Sequence, residues 1–137
     1  MQKSDTIAKL AEALAKAQGK IKGAVKDSSN PFFHSHYADL ASVWDACREP
    51  LAENGLSVVQ GGVLLDGQFY LETTLQHSSG ESESLLFPIK PVKDDPQGWG
   101  SAITYFRRYG LAAMVGIAQV DDDGNEASGK PAVGTKE

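Results

Sequence analysis

Residues 56–89 read LSVVQGGVLLDGQFYLETTLQHSSGESESLLFPI, and the alternation inside this run implies a sheet. Leu56 to Leu65 is rich in β-forming residues. Asp66-Gly67 after it is the strongest short hairpin signal in the chain. From Phe69 to His77 the pattern has a period of two. Phe69, Leu71, Thr73 and Leu75 fall on one side and Tyr70, Glu72, Thr74 and Gln76 on the other. Ser78-Ser79-Gly80 turns the chain again, and Ser82 to Ile89 returns with Leu85, Phe87 and Ile89 in phase. The expectation is an antiparallel three-stranded meander with one apolar face.

Downstream, Lys90 to Trp99 reads as a connector rich in Pro, Asp and Gly. The period then changes. From Gly100 to about Ile117, one stripe is formed by Ile103, Phe106, Gly110, Met114 and Ile117. A second is formed by Ala102, Tyr105, Tyr109, Ala112 and Gly116. Apolar positions over most of the circumference predict a long helix covered on more than one side. Gly110 and Gly116 each cost such a helix on the order of 1 kcal/mol. They make sense where another backbone or a ligand comes close.

Upstream, two helices are predicted. Ile7, Leu10, Ala11, Leu14 and Ala17 make an amphipathic helix from Asp5 to Gln18, with Asp5 as N-cap and Gly19 as its end. Leu40, Val43, Trp44, Cys47 and Leu51 make a second from about Asp39 to Asn54, closed by Gly55, with Pro50 expected to kink it or break it early. Gly19 to Phe33 between them reads as an extended arm or loop. The class is therefore α+β: N-terminal helices, then a β-β-β-α core.

At 137 residues, 41% of them hydrophobic, the chain suits one domain, expected over 1–126, with a disordered tail over 127–137. No apolar run approaches the roughly 20 residues of a membrane span. Lys9 and Lys16 interrupt the first apolar segment, so no signal peptide is expected and the protein is expected in the cytosol. Cys47 is the single cysteine. It reads as a small buried apolar residue rather than a reactive thiol.

The net charge of −5 argues against a nucleic-acid partner until its distribution is considered. The tail from Asp121 to Glu137 holds five acids and two lysines, a charge of −3, whereas Leu85 to Val120 holds Lys90, Lys93, Arg107 and Arg108 against Asp94 and Asp95, a charge of +2.

Arg107 and Arg108 lie mid-helix among Tyr105, Phe106 and Tyr109. Adjacent helical residues point about 100° apart, so one arginine reaches outward while the other edges the apolar stripe. A guanidinium grips phosphate through a planar fork, and a tyrosine offers a stacking face to an unpaired base. The mixture suits single-stranded nucleic acid. The plainer alternative is a helix with core aromatics and salt-bridged arginines. On an extended arm Lys20, Lys22 and Lys26 would project to one side as a sequence-blind phosphate rail, or simply form a solvated surface.

Other motifs point to less. His34 and His36 near Asn30-Pro31 lack a third metal ligand. Asp121-Asp122-Asp123-Gly124-Asn125-Glu126 resembles half of a calcium loop without its distal glutamate. Gly98-Trp99-Gly100 lacks the Gly-Lys-Ser/Thr of a nucleotide-hydrolysing loop. Neither an enzyme, a metal nor a cofactor is expected.

Several stretches together resemble the ERF family of phage single-strand annealing proteins. They are Asn30-Pro-Phe-Phe-His-Ser-His-Tyr-Ala-Asp-Leu-Ala-Ser-Val-Trp-Asp-Ala, Pro50-Leu-Ala-Glu-Asn-Gly-Leu-Ser-Val-Val-Gln and Thr73-Thr-Leu-Gln-His-Ser-Ser-Gly-Glu. The most specific is Asp95-Pro-Gln-Gly-Trp-Gly-Ser-Ala-Ile-Thr-Tyr-Phe-Arg-Arg-Tyr-Gly-Leu, followed by Asp121-Asp-Asp-Gly-Asn. Phe106 and Gly110 depart from the family pattern, which has a small residue and Ala there, and are expected to alter the packing of the helix. The resemblance implies ATP-independent annealing of complementary strands and a fold similar to that of the eukaryotic ring-forming recombination mediators.

The expected DNA-binding residues are Lys20, Lys22, Lys26, Lys90, Lys93, Arg107, Arg108, Tyr105 and Tyr109. The expected partners are single-stranded DNA, further copies of the chain in a ring or helical filament, and a host single-strand-binding protein. The rival expectation is an oligomeric interaction protein that recruits a host replication or recombination factor without touching DNA. A metal-dependent nuclease using Asp121 to Asp123 is a third.

Overall fold

A computed structural model describes residues 2–25, 28–30, 35–37 and 39–120. The elements run β1 (Gln2–Lys3), α1 (Ala8–Gln18), β2 (Ala24–Val25), β3 (Ser28–Asn30), β4 (Ser35–Tyr37), α2 (Leu40–Glu53), β5 (Leu56–Leu65), β6 (Gln68–His77), β7 (Ser82–Pro88), α3 (Pro96–Val115) and β8 (Gln119–Val120). The predicted meander is β5, β6 and β7. Asp66 and Gly67 both take positive φ, 50° and 77°, the left-handed pair of a two-residue hairpin turn. The sheet has a fourth strand that period-two reading did not find. The order is β1-β7-β6-β5, all antiparallel, with Gln2 opposite Ser84 and Lys3 opposite Glu83. Two residues carry no periodicity, so β1 is held by what it meets. The Ser4 amide donates to the Ser82 carbonyl at 2.9 Å, and the Ser82 amide donates to Ser4 Oγ at 2.9 Å.

The register places Val58 opposite Leu75, Gln60 opposite Thr73, Leu71 opposite Phe87 and Thr73 opposite Leu85, all on one face. The core lies there. Leu56 and Leu75 of the sheet meet Leu10, Ala13 and Ala17 of α1, Val43, Cys47 and Leu51 of α2, and Leu111, Met114 and Val115 of α3. The opposite face contributes nothing to that core, and Val59, Leu65 and Leu86 stand exposed on it. Small two-stranded sheets complete the fold: β2 pairs parallel with β8, and β3 antiparallel with β4.

The helices correct the sequence reading at their ends. α1 begins at Ala8 rather than Asp5, and its N-cap, Ile7, makes no side-chain cap bond. Glu81 supplies that bond from the turn before β7, its Oε1 accepting from the Leu10 amide at 2.8 Å and its Oε2 from the Thr6 hydroxyl at 2.7 Å. α2 starts as predicted, with Asp39 Oδ1 accepting from the Ser42 amide at 2.8 Å. Pro50 does not stop it: the helix runs to Glu53, and the Pro50 carbonyl accepts from Asn54 Nδ2 at 2.8 Å. A proline in the last turn removes one amide donor and leaves the following residues helical. α3 begins at Pro96, inside the stretch read as connector, because Asp95 Oδ1 accepts from the Gly98 amide at 2.6 Å and proline suits the first helical position. It ends at Gly116, left-handed at φ 82°, where the Gly116 and Ile117 amides both bond to the Ala112 carbonyl.

Candidate functional site

The seat of α3 on the sheet decides what the helix displays. Gly110 is buried directly over Thr73: a Cβ at this position would stand 2.6 Å from Thr73 Oγ1 and 3.4 Å from Phe87 Cε2. The missing side chain lets helix and sheet approach, but the close group is a side chain of β6 rather than the backbone or ligand expected. Gln60 of β5 closes the contact. Its Nε2 donates to Thr73 Oγ1 at 3.0 Å and to the Arg107 carbonyl at 2.9 Å, while its Oε1 is buried with no partner among the described residues. A polar residue in phase with Val58 and Gly62 on the core face was the sequence signal for this pin.

With that carbonyl turned to the sheet, the Arg107 side chain is exposed and Arg108 is half-buried, as the 100° spacing required. No ion pair among the described residues engages Arg107. The Arg108 guanidinium lies over the Tyr105 ring at 5.0 Å. Tyr105 and Tyr109 keep 51% and 50% of their surface exposed, so neither is a core residue of the protomer. The predicted second covered side of α3 exists only in its C-terminal part. Gly110, Leu111, Met114 and Val115 are its buried residues, and none precedes Gly110.

The lysines flank this helix. Lys90 and Lys93 are exposed just before its N-terminus. At the other end, Gln18 Nε2 donates to the Val115 carbonyl at 3.1 Å, bringing the end of α1, with exposed Lys20 and Lys22 after it, beside the end of α3. Val115 is eight residues past Arg107, about 12 Å along the axis. The expected row of lysines on an extended arm is not formed at Lys20. The amides of Lys20 and Ile21 both bond to the Ala17 carbonyl, a continued helical turn, and Lys20 Nζ pairs with Glu53 at 3.7 Å. That pair is largely solvated and contributes little. Lys26, His34, the acid run Asp121 to Asp123 and the tail over 127–137 lie outside the described residues.

Sequence reading missed three further contacts. Trp99 Nε1 donates to Asp94 Oδ1 at 2.7 Å, and its ring meets Phe69 edge-on at 5.4 Å. On α2 the Arg48 guanidinium lies 5.6 Å from the Trp44 ring centroid. Cys47 is fully buried, and burial pushes its thiol up to about 11, so it stays protonated at neutral pH. Among the described residues no cluster of His, Cys, Asp or Glu could hold a metal ion, and no helix is long and apolar enough to cross a membrane.

A helix pinned to a meander and displaying Arg107, Arg108, Tyr105 and Tyr109 is now placed within the chain as a whole. A model of the ERF superfamily matches residues 10–136. The chain belongs to the ERF superfamily. That match runs from within α1 through the meander and α3 to the segment beyond β8, so the ERF assignment rests on most of the sequence rather than on the arginine motif alone. No curated protein and no solved structure matches the chain.

Proposed function

We propose that the protein binds single-stranded DNA along α3 and anneals complementary strands without ATP, as a phage recombination protein acting in the cytoplasm of a bacterial host. The observation that carries this reading is the exposed Arg107 beside Arg108, Tyr105 and Tyr109 on a helix whose two ends are flanked by Lys90, Lys93, Lys20 and Lys22. Superfamily membership supports a recombination role. Lys26 belongs to the same proposed track. Cations spaced along a helix about 30 Å long suit a run of phosphates rather than one anion.

In this reading copies of the chain assemble into a ring or helical filament, so that the tracks of neighbouring protomers join. Arginine and lysine neutralise the phosphates, and most bases stay outward for pairing. No enzymatic step is needed, because duplex stacking of about 1.4 kcal/mol per step drives the product. The protein lowers the barrier by holding strands extended and reducing their repulsion. A host single-strand-binding protein is the proposed source of the strand.

A gel-shift titration of a single-stranded oligonucleotide against salt tests the reading. Binding to single strands weakens with a log–log slope of about −0.7 per phosphate neutralised. Arg107→Ala with Arg108→Ala is expected to reduce that slope by about 1.4 and to lower affinity alike for all sequences. An absence of salt-dependent binding in the unaltered protein would leave the interaction-protein reading. Strand cleavage on adding Mg²⁺, abolished by EDTA, would replace both with a nuclease.

A further inference from the structure

We propose that Tyr105 and Tyr109 form a clamp that takes one unpaired nucleobase between their rings, one per protomer. The inference rests on the reading of α3 as the strand-binding helix and adds the part of the nucleotide that two of its side chains would hold. The residues are four apart, on one side of the helix. Their rings are nearly parallel, at 16°, with centroids 6.4 Å apart. Flat aromatic layers stack at about 3.4 Å, so the outer members of a three-layer stack stand about 6.8 Å apart. The centroid distance is an upper bound on the separation of the two ring planes and is shorter than that, so the rings must spread to admit a base.

Both rings are braced from behind. Tyr109 meets Phe87 edge-on at 5.5 Å and 84°, and Tyr105 meets Phe106 edge-on at 5.2 Å and 79°. Phe87 and Phe106 in turn pack at 6.0 Å. The tyrosines are thus held in orientation by the sheet while half of each remains open to solvent. Holding the rings ready lowers the ordering cost of a ligand. Phe106 thereby fixes the attitude of Tyr105.

The ligand's chemistry follows from the neighbours. The gap suits a flat neutral ring, and the exposed Arg107, between the tyrosines in sequence, suits an anionic linkage beside that ring, while the Arg108 guanidinium lies over the Tyr105 ring at 5.0 Å. A nucleotide within a strand combines these features, whereas an isolated aromatic side chain lacks the charge. Every base has a π-face, so the clamp reads no sequence. One base per protomer would be withdrawn from pairing while its neighbours are presented outward. Annealing must then release that base as the duplex forms.

The test compares a thymidine oligonucleotide with an abasic strand of equal length and charge, binding each to the unaltered protein at one salt concentration. The base-bearing strand is expected to bind about ten-fold tighter, the effect of a lost base stack. Tyr105→Leu with Tyr109→Leu is expected to abolish that preference and keep the salt slope. Tyr105→Phe with Tyr109→Phe is expected to keep both, since the ring alone stacks. Equal affinity of the unaltered protein for the two strands overturns the clamp and leaves the phosphate track standing. No binding to either strand overturns the reading of α3 itself. Leucine variants that keep the base preference but change the particle mass in light scattering assign the rings to a contact between protomers, which also overturns the clamp.

Discussion

The two halves of α3 differ in everything but their backbone. From Gly110 to Val115 the helix is shut against the sheet, α1 and α2, with Leu111 and Val115 at 0% exposure. From Pro96 to Tyr109 no residue is buried, and the last five residues set two arginines between aromatic rings. The boundary is the point where Gly110 and Gln60 bring the helix onto Thr73. One half is therefore a foundation and the other a display. An exposed aromatic surface on a loosely seated helix would drift. On a helix pinned within one turn of Arg107 it keeps a fixed attitude.

The comparison breaks most visibly if the buried half is emptied. Leu111→Ala removes a fully buried side chain and should cost about 2–5 kcal/mol, read from urea or thermal unfolding. Strand affinity of the protein that remains folded should not change. An equal loss of affinity in the folded fraction would mean that display and foundation are not separable.

A smaller effect sharpens where the boundary lies. Alanine is a better helix former than glycine by about 1 kcal/mol, so Gly110→Ala would stabilise an unobstructed helix. Here its Cβ meets Thr73 Oγ1 at 2.6 Å. Overpacking of that kind costs about 1–3 kcal/mol, so a net loss on the order of 1 kcal/mol is expected. Thr73→Ala in the same background should recover part of it, appearing as a coupling in a double-mutant cycle. A stabilised Gly110→Ala protein would show that the close approach is not what fixes the helix.

Much of this architecture was legible in the order of residues, and the reasons it was legible are local. Period-two alternation and Asp66-Gly67 define the meander to within one residue at each turn, because side-chain phase and turn geometry are set by neighbours in sequence. That the two arginines must differ in exposure followed from helical angle alone; that Arg107 is the outward one did not. Of what was missed, β1 and the Gln60 contact are held by distant partners, whereas the turn at Lys20 and the start of α3 are local contacts that composition does not distinguish from loop. β1 is two residues long and exists through β7. Lys20 was read into an extended row, yet the Ala17 carbonyl winds it into a turn. The start of α3 was hidden because Asp95-Pro96 reads equally as loop composition and as a helix start, and only the seated helix decides between them. Gln60 could have been noticed as a polar residue in core phase, but its partner, a mid-helix carbonyl 47 residues on, carries no sequence signal.

The same contrast of near and far partners separates the starts of α3 and α1, and it yields the smallest expected effect. α3 is capped by its own Asp95, three residues from the amide it receives, whereas α1 is capped by Glu81, 71 residues away. The Thr6 hydroxyl and then the Leu10 amide hold the Glu81 carboxyl below its ordinary value of 4.5. A depressed carboxyl pKa gives a contribution that is complete above the ordinary value and fades as pH falls through the lower, folded value. The carboxylate is solvated and screened, so global unfolding should hardly register it. Hydrogen exchange at the Leu10 amide should: protection is expected to fall as pH drops below 4.5, after correction for the intrinsic rate. Thr6→Ala removes the larger cause of the depression, so the loss should then be smaller and be complete at higher pH. Glu81→Gln keeps an acceptor oxygen but no charge, so protection at Leu10 should be weaker than in the unaltered protein at neutral pH and flat with pH. If protection at Leu10 were flat with pH in the unaltered protein and unchanged by Glu81→Gln, the long-range cap would contribute nothing in solution, and α1 would be held by Leu10, Ala13 and Ala17 in the core alone.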